Sequence, residues 1–296
     1  MLILFYNTIW GTPLELGPDD LLPGFEVTED HARLAEAGAV VFHVPGLRPW
    51  HRPRKCAGQI WVAWSLESDA NYPTLRDPAR MARYDLTMTY RRDADVLWGY
   101  VPYFSSADNL ERALVAPPAA KDAPRPVAML VSSRIDKSGR RAYARELARH
   151  IGVDSWGRFM RNRTLPDDSW RPSKLDIIRR YPFTIAFENS IALDYVTEKF
   201  YDPLVAGSVP IYLGARNVAE FAPGEHCYID VRDYAGPRDL AMHLEALLHD
   251  PVAYAALLAW KTRPLRPAFR RWLDGQRTPP LRRLCEALQA RRAETC

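Results

Sequence analysis

Short runs of apolar residues recur along the chain and are separated by polar stretches of similar length. In the first half, such runs predict strands at 2–6, 39–44, 59–65, 85–90 and 95–103. The run AVVFHV at 39–44 is continuously apolar rather than alternating. This pattern indicates a strand that is buried on both faces, as in a parallel sheet. The preceding stretch EDHARLAEAG predicts a helix that ends at Gly38.

The second half shows the same alternation of strand and helix patterns. Strands are predicted there at 127–133, 183–187, 209–213 and 227–231. Helices are predicted for SGRRAYARELARHIG, for the segment from Thr197 to Gly207, for PRDLAMHLEALLHD and for PVAYAALLAWK. A basic helix, PPLRRLCEALQARR, closes the chain.

A proline-rich stretch divides the two halves. Residues 116–126, APPAAKDAPRP, contain four prolines and no apolar periodicity, which predicts a linker. We therefore predict an α/β fold with two Rossmann-like domains facing across a cleft, at 1–120 and 121–265, followed by a helical extension at 266–296. Ligands of such folds bind beyond the carboxyl ends of the strands.

Composition narrows the functional classes. The chain has 296 residues, of which 47% are apolar and 26% charged, as in ordinary soluble proteins. Its net charge of +4 is too small an excess to favour a nucleic-acid partner. The N-terminus lacks the basic region of a signal peptide, and no apolar run approaches about 20 residues, which predicts a cytoplasmic protein.

The C-terminal stretch 282–292, RRLCEALQARR, is basic and amphipathic. Such a helix can lie on an anionic membrane, so a peripheral contact at the inner membrane surface stays open beside a solvated helix packed over the domain junction. The four cysteines lie far apart with no CxxC pair, which favours free thiols over zinc or redox chemistry.

One segment carries many polar groups between two predicted core strands. Residues 186–213 read AFENSIALDYVTEKFYDPLVAGSVPIYL. This segment, with the LGARNVAEFAP that overlaps its end, closely resembles the donor-binding signature of the α1,3/4-fucosyltransferases, glycosyltransferase family 10.

The resemblance extends upstream over most of residues 40–262. WSLESDANYP resembles a short acceptor-domain motif of the family, with Asp69 in place of the usual proline. MTYRRDADVLWGYVPY and LVSSRIDKSGRRAYARELARHIGVDSWGR resemble two further family stretches, the second with Ser133-Arg134 in place of the usual Asn-Cys.

The resemblance implies a GT-B fold and an inverting transfer of fucose from GDP-fucose to a hydroxyl, O3, of GlcNAc or Glc in an oligosaccharide or lipid-linked glycan. It places the acceptor in the first domain and the donor in the second. Two alternatives stay open. One is a GT-B transferase with another NDP-sugar donor, and the other is an inert glycan-binding relative.

This chemistry needs a base for the acceptor hydroxyl and cations or N–H dipoles for the leaving diphosphate. Glu67 matches the position of the family's proposed base, although an isolated loop glutamate is usually only solvated. Arg140 and Lys199 are the candidates for stabilising the diphosphate, with Arg141 as the alternative to its neighbour.

The remaining donor-binding candidates lie in the signature segment. Glu198 and Asn189 fit recognition of sugar hydroxyls on ribose or fucose, Tyr195 fits contact with the base or a phosphate, and Val196 lies beside it. Glu188 at a strand end fits the orientation of its neighbours. On the acceptor side, His43 and Trp64 are candidates, although a structural histidine and a core tryptophan are the more ordinary interpretations.

The triplet Asp93-Ala94-Asp95 has the DxD spacing with which another class of glycosyltransferases holds a divalent metal. It lies in the stretch that resembles a family motif of the acceptor half. We therefore interpret it as structural and predict neither a metal site nor an essential cofactor.

Overall fold

A computed structural model describes residues 1–48, 53–164 and 171–295. In these residues the strands are β1 (Leu2–Asn7), β2 (Glu26–Thr28), β3 (Ala39–His43), β4 (Ile60–Ser65), β5 (Leu86–Thr89), β6 (Val96–Leu97), β7 (Val127–Met129), β8 (Val153–Ser155), β9 (Phe183–Phe187), β10 (Val209–Leu213) and β11 (Ile229–Asp230). The α-helices are α1 (Pro78–Met81), α2 (Ala107–Leu114), α3 (Arg140–Leu147), α4 (Arg171–Ile178), α5 (Glu198–Ala206), α6 (Pro237–His249), α7 (Pro251–Ala256), α8 (Pro267–Asp274) and α9 (Pro280–Thr295).

The chain forms two compact units. Unit 1 comprises Met1–Pro102 and Gly275–Cys296, and unit 2 comprises Tyr103–Asp274. The sheet of unit 1 is parallel with the order β2-β1-β3-β4-β5-β6. The sheet of unit 2 is also parallel, with the order β11-β10-β9-β7-β8. The predicted α/β architecture of the GT-B type, with a parallel sheet in each half, is confirmed.

The sheet of unit 1 is buried on both faces, as the continuous apolar runs predicted. Alternate residues of β3 face opposite cores: Ala39 and Val41 pack with α9, whereas Val40 and Phe42 pack with Trp61 of β4. In unit 2, one face of the sheet packs against α3 and α6. Burial on both faces leaves the carboxyl ends of the strands as the places where polar side chains can gather.

The boundaries of the two units differ from the predicted ones at 120 and 265. Helix α2 belongs to unit 2 because Leu110 and Leu114 are buried there, and the Nζ of Lys261 donates to the carbonyl of Leu114. Helix α8 also packs in unit 2, since Trp272 stacks on Tyr201 at 5.7 Å between ring centroids. Helix α9 returns to unit 1 instead of forming part of a separate extension.

The proline-rich stretch 116–126 lies within unit 2 instead of joining the units. The backbone N–H groups of Asp122 and Ala123 both donate to the carbonyl of Arg180 at 3.2 Å. Gly207, which ends α5 at φ 71°, has room only for hydrogen on its Cα because a Cβ would lie 2.7 Å from the Cβ of Pro118. These contacts fix the stretch to the unit, so composition alone misidentified it as a linker.

Two predicted elements are much shorter than expected. The stretch EDHARLAEAG forms only a 3-10 turn at His31–Arg33, because Ala37 is its one fully buried apolar residue and so gives a helix little to pack. The predicted strand 95–103 is reduced to β6 and a 3-10 turn at Val101–Phe104. Strands β2 and β8 and helices α1, α2 and α4 have no counterpart in the sequence-based prediction, whereas α8 falls within the predicted helical extension.

The apolar face of α9 is occupied. Leu281, Leu284, Cys285 and Leu288 pack into the core of unit 1, while Arg291 and Arg292 are exposed. The face that the amphipathic pattern offered to a membrane is therefore used inside the protein. Within the part of the chain that the structure describes, no helix combines the length and the apolar character that crossing a bilayer requires.

Candidate active site

Glu188 follows β9 directly and is completely buried. Its Oε1 accepts from the backbone N–H of Thr197 at 2.8 Å, and its Oε2 accepts from the Thr197 hydroxyl at 2.9 Å. The carboxylate therefore closes the loop 188–197 by joining its two ends. Burial raises the pKa of Glu188 to about 7, and the nearby ammonium of Lys199 opposes this shift.

Lys199 lies in the first turn of α5, and 27% of its side chain is exposed. Its Nζ contacts Oε1 of Glu198 at 2.9 Å and Oγ1 of Thr197 at 3.2 Å, with Oε2 of Glu188 at 3.8 Å. Burial favours the neutral amine, but the carboxylates of Glu198 and Glu188 outweigh it and raise the pKa of Lys199 above its ordinary value. The side chain is thus a cation at neutral pH.

Glu198 is the anion of this group. Burial would raise its pKa, but the ammonium groups of Lys199 and Lys174 outweigh burial and lower the pKa to about 2. Lys174 of α4 is itself paired with buried Asp202 of α5 at 2.5 Å. The start of α5 therefore carries an alternating array of acidic and basic side chains at the carboxyl end of the sheet.

Arg140 begins α3, and its side chain is buried among backbone carbonyls. Only 1% of the residue is exposed, and its guanidinium donates to the carbonyls of Phe187 at 3.1 Å, Ile135 at 3.0 Å and Ser133 at 3.4 Å. Burial lowers the pKa of Arg140, although Glu188 opposes the shift. The guanidinium thus joins the end of β9 to the loop between β7 and α3.

The other predicted donor-binding side chains are buried around this loop. Asn189, Tyr195 and Val196 are at most 7% exposed. The carbonyl of Asn189 accepts from the backbone N–H of Lys137 at 2.8 Å. This bond attaches the loop 188–197, called the signature loop below, to the loop after β7. Of the seven residues predicted to bind the donor, only Glu198 and Lys199 are partly exposed.

Glu67 lies in unit 1, two residues after β4 ends. The Ser65 hydroxyl accepts from the backbone N–H of Glu67 and donates to its carbonyl, both at 3.0 Å, and the Tyr100 hydroxyl donates to the carbonyl of Leu66 at 2.6 Å. This turn is therefore held at both sides. The Glu67 side chain is half-buried and lines a cavity of about 440 Å³ together with Thr89, Tyr90 and Arg91.

The two predicted acceptor residues are buried in unit 1. Trp64 is 2% exposed and packs between Phe5 at 5.4 Å and Trp98 at 4.9 Å, measured between ring centroids. His43 has no exposed surface, and burial, partly opposed by the backbone of Thr8, lowers its pKa to about 4. Both side chains belong to central strands of the sheet and present almost no exposed surface.

The acidic triplet at 93–95 is engaged within unit 1. Asp93 accepts from Nε of Arg91 at 2.8 Å and from Nη2 at 2.6 Å. Asp95 accepts from the N–H and the hydroxyl of Thr87 at 2.7 and 2.8 Å. Over residues 1–48, 53–164 and 171–295, no group of three or more His, Cys, Asp or Glu side chains is arranged to hold a metal ion.

Comparison with known proteins identifies the family. Residues 1–101 match the family described as "Fucosyltransferase, N-terminal", and residues 120–295 match "Glycosyltransferase family 10 (fucosyltransferase) C-term". The chain belongs to glycosyltransferase family 10. The resemblance inferred from the sequence motifs is therefore confirmed, and it covers both units.

Curated relatives of this family-10 chain carry two kinds of name. One is a "GDP-fucose protein O-fucosyltransferase 3" of Canis lupus familiaris, 34% identical over 229 residues, which covers 71% of this chain and 46% of that protein. Another is a "4-galactosyl-N-acetylglucosaminide 3-alpha-L-fucosyltransferase FUT6" of Pan troglodytes, 32% identical over 287 residues, which covers 92% of this chain and 75% of that protein. The chain spans about half the length of the O-fucosyltransferases that it matches.

The fold of this family-10 chain also occurs in solved structures. An α1,3-fucosyltransferase crystallised with GDP-fucose aligns with a TM-score of 0.55 at 16% sequence identity, over 79% of this chain and 72% of that one. A second crystal structure of an α1,3-fucosyltransferase aligns with a TM-score of 0.55 at 17% identity, over 90% of this chain and 79% of that one. At this identity the match supports the fold.

Sequence reasoning missed two side chains that hold the signature loop. Thr197 joins Glu188 to Lys199, and its hydroxyl also accepts from the backbone N–H of Lys199 at 3.3 Å as the N-cap of α5. The Ser138 hydroxyl donates to the carbonyl of Glu188 at 2.6 Å. The preference for Thr at helix N-caps is a sequence signal for the first, whereas nothing in the sequence connects Ser138 with a residue 50 positions away.

Proposed function

We propose that this protein is a GDP-fucose-dependent fucosyltransferase that transfers fucose, with inversion, to O3 of GlcNAc or Glc in a glycan. Its membership of a fucosyltransferase family through both units is the observation that carries the proposal. The partly exposed Lys199 and Glu198, at the carboxyl end of the unit 2 sheet, fit a ligand that bears both a diphosphate and vicinal hydroxyls.

The proposed leaving-group stabilisation uses the start of α5. Negative charge grows on the diphosphate as the bond to fucose breaks, so a fixed cation and helix N–H groups lower the barrier. Lys199 is held by Glu198 and Thr197 in the first turn, where both kinds of group meet. Arg140 then acts as a positioning residue that fixes the loop, and Glu198 accepts hydrogen bonds from ribose or fucose hydroxyls.

The proposed base is Glu67. It takes the proton of the acceptor hydroxyl as that oxygen attacks the anomeric carbon, the bond to GDP breaks, and GDP leaves with the electron pair. A carboxylate on a turn that is tied by Ser65 and Tyr100 has little freedom to move away, which suits a base. We propose that neither a divalent metal nor another cofactor takes part, since Lys199 and the helix N–H groups supply the positive charge.

A second candidate acceptor is a protein hydroxyl. It is favoured by the relatives named GDP-fucose protein O-fucosyltransferase 3, which are 32–34% identical to this chain. Transfer to a serine or threonine hydroxyl needs the same donor and the same base, so only the acceptor distinguishes the two candidates.

The test is an assay of GDP release with GDP-fucose, UDP-galactose and GDP-mannose as donors. Each donor is combined with a 4-galactosyl-N-acetylglucosaminide, with a lactose-containing glycan and with a set of folded Ser/Thr-containing protein domains, with and without EDTA. We expect release only with GDP-fucose and a glycan, unchanged by EDTA, and NMR of the product should show an α linkage at O3.

The outcomes separate the alternatives. Fucosylated protein without fucosylated glycan would establish the second acceptor class. Release with another nucleotide sugar alone would overturn the donor assignment. GDP binding without release for any acceptor would support an inert glycan-binding protein, and activity that EDTA abolishes and Mn²⁺ restores would overturn the metal-free proposal.

A further inference from the structure

Trp10 is a large apolar side chain that unit 1 keeps at its surface. It lies in a 3-10 turn at Ile9–Gly11, directly after β1, and is 56% exposed. Its backbone has φ 53° and ψ 26°, a left-handed conformation that bulky side chains rarely adopt. The unusual backbone conformation thus occurs at a residue whose ring is exposed to solvent. Residues with such rare conformations are concentrated at binding sites.

Other aromatic rings hold Trp10 in place. The ring centroid of Trp10 lies 5.1 Å from that of His43 with nearly perpendicular planes, and 6.0 Å from that of Tyr72. His43 is fully buried and neither of its ring nitrogens makes a hydrogen bond of good geometry in the described residues, so it supports the tryptophan as an apolar base. More than half of the surface of Trp10 remains exposed.

The exposed ring borders a cavity of about 580 Å³ at the carboxyl ends of β1 and β3. Its walls include Asn7, Thr8, Trp10, Glu29, His31 and Gly46. This volume lies within the range of about 300–1,000 Å³ that is usual for small-molecule sites. A cavity with one aromatic wall and several hydrogen-bonding groups suits a pyranose, because a sugar presents C–H groups on its face and hydroxyls around its edge.

The aromatic cluster leads from this cavity toward Glu67. The ring centroid of Tyr72 lies 6.0 Å from that of Trp10. Burial raises the pKa of Tyr72, and the Glu67 carboxylate within electrostatic range adds to this shift. Glu67 itself lines a different cavity. Tyr72 thus connects the residue that borders the first cavity with the proposed base.

We propose that Trp10, supported by Tyr72 and His43, forms a stacking subsite for the acceptor sugar next to the one that receives fucose. The inference rests on the proposed glycan fucosyltransferase activity and extends it. It makes the enzyme selective for acceptors of at least two sugars. It also moves the aromatic contact from the buried Trp64 to an exposed residue that the sequence motifs do not mark.

The test compares Trp10→Ala and Trp10→Phe with Leu16→Ala, a control that removes another exposed apolar side chain of the same unit. With a 4-galactosyl-N-acetylglucosaminide as acceptor, we expect Trp10→Ala to raise KM about tenfold, which corresponds to about 1.4 kcal/mol. The turnover number and the KM for GDP-fucose should stay within about twofold, and Trp10→Phe should keep most of the acceptor affinity. With GlcNAc alone as acceptor, Trp10→Ala should have little effect.

Direct binding separates this inference from the proposed function. Saturation-transfer NMR with the disaccharide and no donor should show contact with the wild-type protein and with Leu16→Ala, and much weaker contact with Trp10→Ala. Equal signals in all variants, or an equal loss with mono- and disaccharide acceptors, would overturn the subsite. Absence of transfer by the wild type would overturn the function, while the NMR comparison would still decide on Trp10.

Discussion

Glu67 is the residue on which the proposed acceptor chemistry depends. Glu67→Gln keeps the size of the side chain, and the bonds that Ser65 and Tyr100 make to the backbone of this turn do not involve the carboxylate. Because a positioned base contributes about 10²–10⁴ in rate, we expect the turnover number to fall by that factor. GDP binding, measured by calorimetry, should stay close to the wild-type value.

Glu15→Gln is the matched control, because Glu15 is an exposed glutamate of the same unit. It should leave turnover unchanged. If Glu67→Gln instead weakens GDP binding, the residue belongs with the donor and not with the acceptor hydroxyl.

Glu188 should make stability depend on pH in a defined window. Its pKa of about 7 in the folded protein lies above the ordinary value of 4.5. A carboxyl group whose pKa is raised on folding stabilises the protein fully at pH values below its ordinary pKa. This stabilisation, up to about 3 kcal/mol, is lost as pH rises from about 4.5 through 7. Glu198 acts in the opposite direction, and its contribution is lost only as pH falls from 4.5 towards 2.

The measurement is urea unfolding of the wild type and Glu188→Gln at pH 5, 6, 7 and 8. The Gln variant loses an acceptor for Thr197 and should be less stable at pH 5, but the difference should shrink as pH rises because the wild type alone loses stability there. Parallel curves for the two proteins would mean that Glu188 does not titrate in this window.

The roles of the candidate site residues stay predictions, but their surroundings show what a single sequence reveals about a side chain. Lys199 and Glu198 are adjacent in sequence and in contact in the structure. Arg140 was a candidate for the diphosphate, and Trp64 a candidate for the acceptor beside its more ordinary core interpretation; both are buried. Their burial depends on strands and carbonyls far along the chain, which a single sequence does not reveal.

At the scale of elements, hydrogen bonds of one side chain join the loop 188–197 to the start of α5. The Thr197 hydroxyl donates to Glu188, accepts from the N–H of Lys199 as a helix cap, and accepts from the Lys199 ammonium. Thr197→Val removes the hydroxyl while preserving shape. We expect a loss of about 1–2 kcal/mol in the free energy of unfolding, together with several-fold weaker GDP binding because Lys199 is less well held.

Thr197→Ser is the control, because it retains the hydroxyl and should stay within about 0.5 kcal/mol and twofold of the wild type. Thermal denaturation and GDP calorimetry on both variants provide the comparison. A loss of stability without any change in GDP affinity would restrict Thr197 to capping and separate the cap from the donor site.

The elements themselves were predictable to the extent that hydrophobic pattern sets them. The buried runs 39–44, 183–187 and 209–213 became β3, β9 and β10 with at most one residue of difference. The short strands β2 and β8 were missed, because three residues are too few to show a period. The helix predicted for EDHARLAEAG is wrong for the opposite reason: the pattern is long enough to show a period, but the segment has no surface against which a full helix could pack.

At the scale of the whole molecule, the chain leaves unit 1 and later returns to it. A prediction that follows sequence order assigned the C-terminal residues to an extension, because hydrophobic pattern marks which face of α9 is buried but not against what. In the structure, that face completes the core beside Ile3, Val41 and Val62. The stability of unit 1 therefore depends on a helix from the opposite end of the sequence.

Leu288→Ala tests this dependence. Leu288 is fully buried in the core that α9 shares with β1, β3 and β4, so removing its side chain should lower the free energy of unfolding by about 2–5 kcal/mol. Gln289→Ala, on the exposed face of the same helix, should change it by less than about 0.5 kcal/mol. Hydrogen exchange followed by mass spectrometry locates the effect: protection should fall in β1, β3 and β4 and persist in β9 and β10. Loss of protection confined to unit 2 would contradict the assignment of α9 to unit 1. A destabilised helix should first reduce protection in the sheet against which it packs.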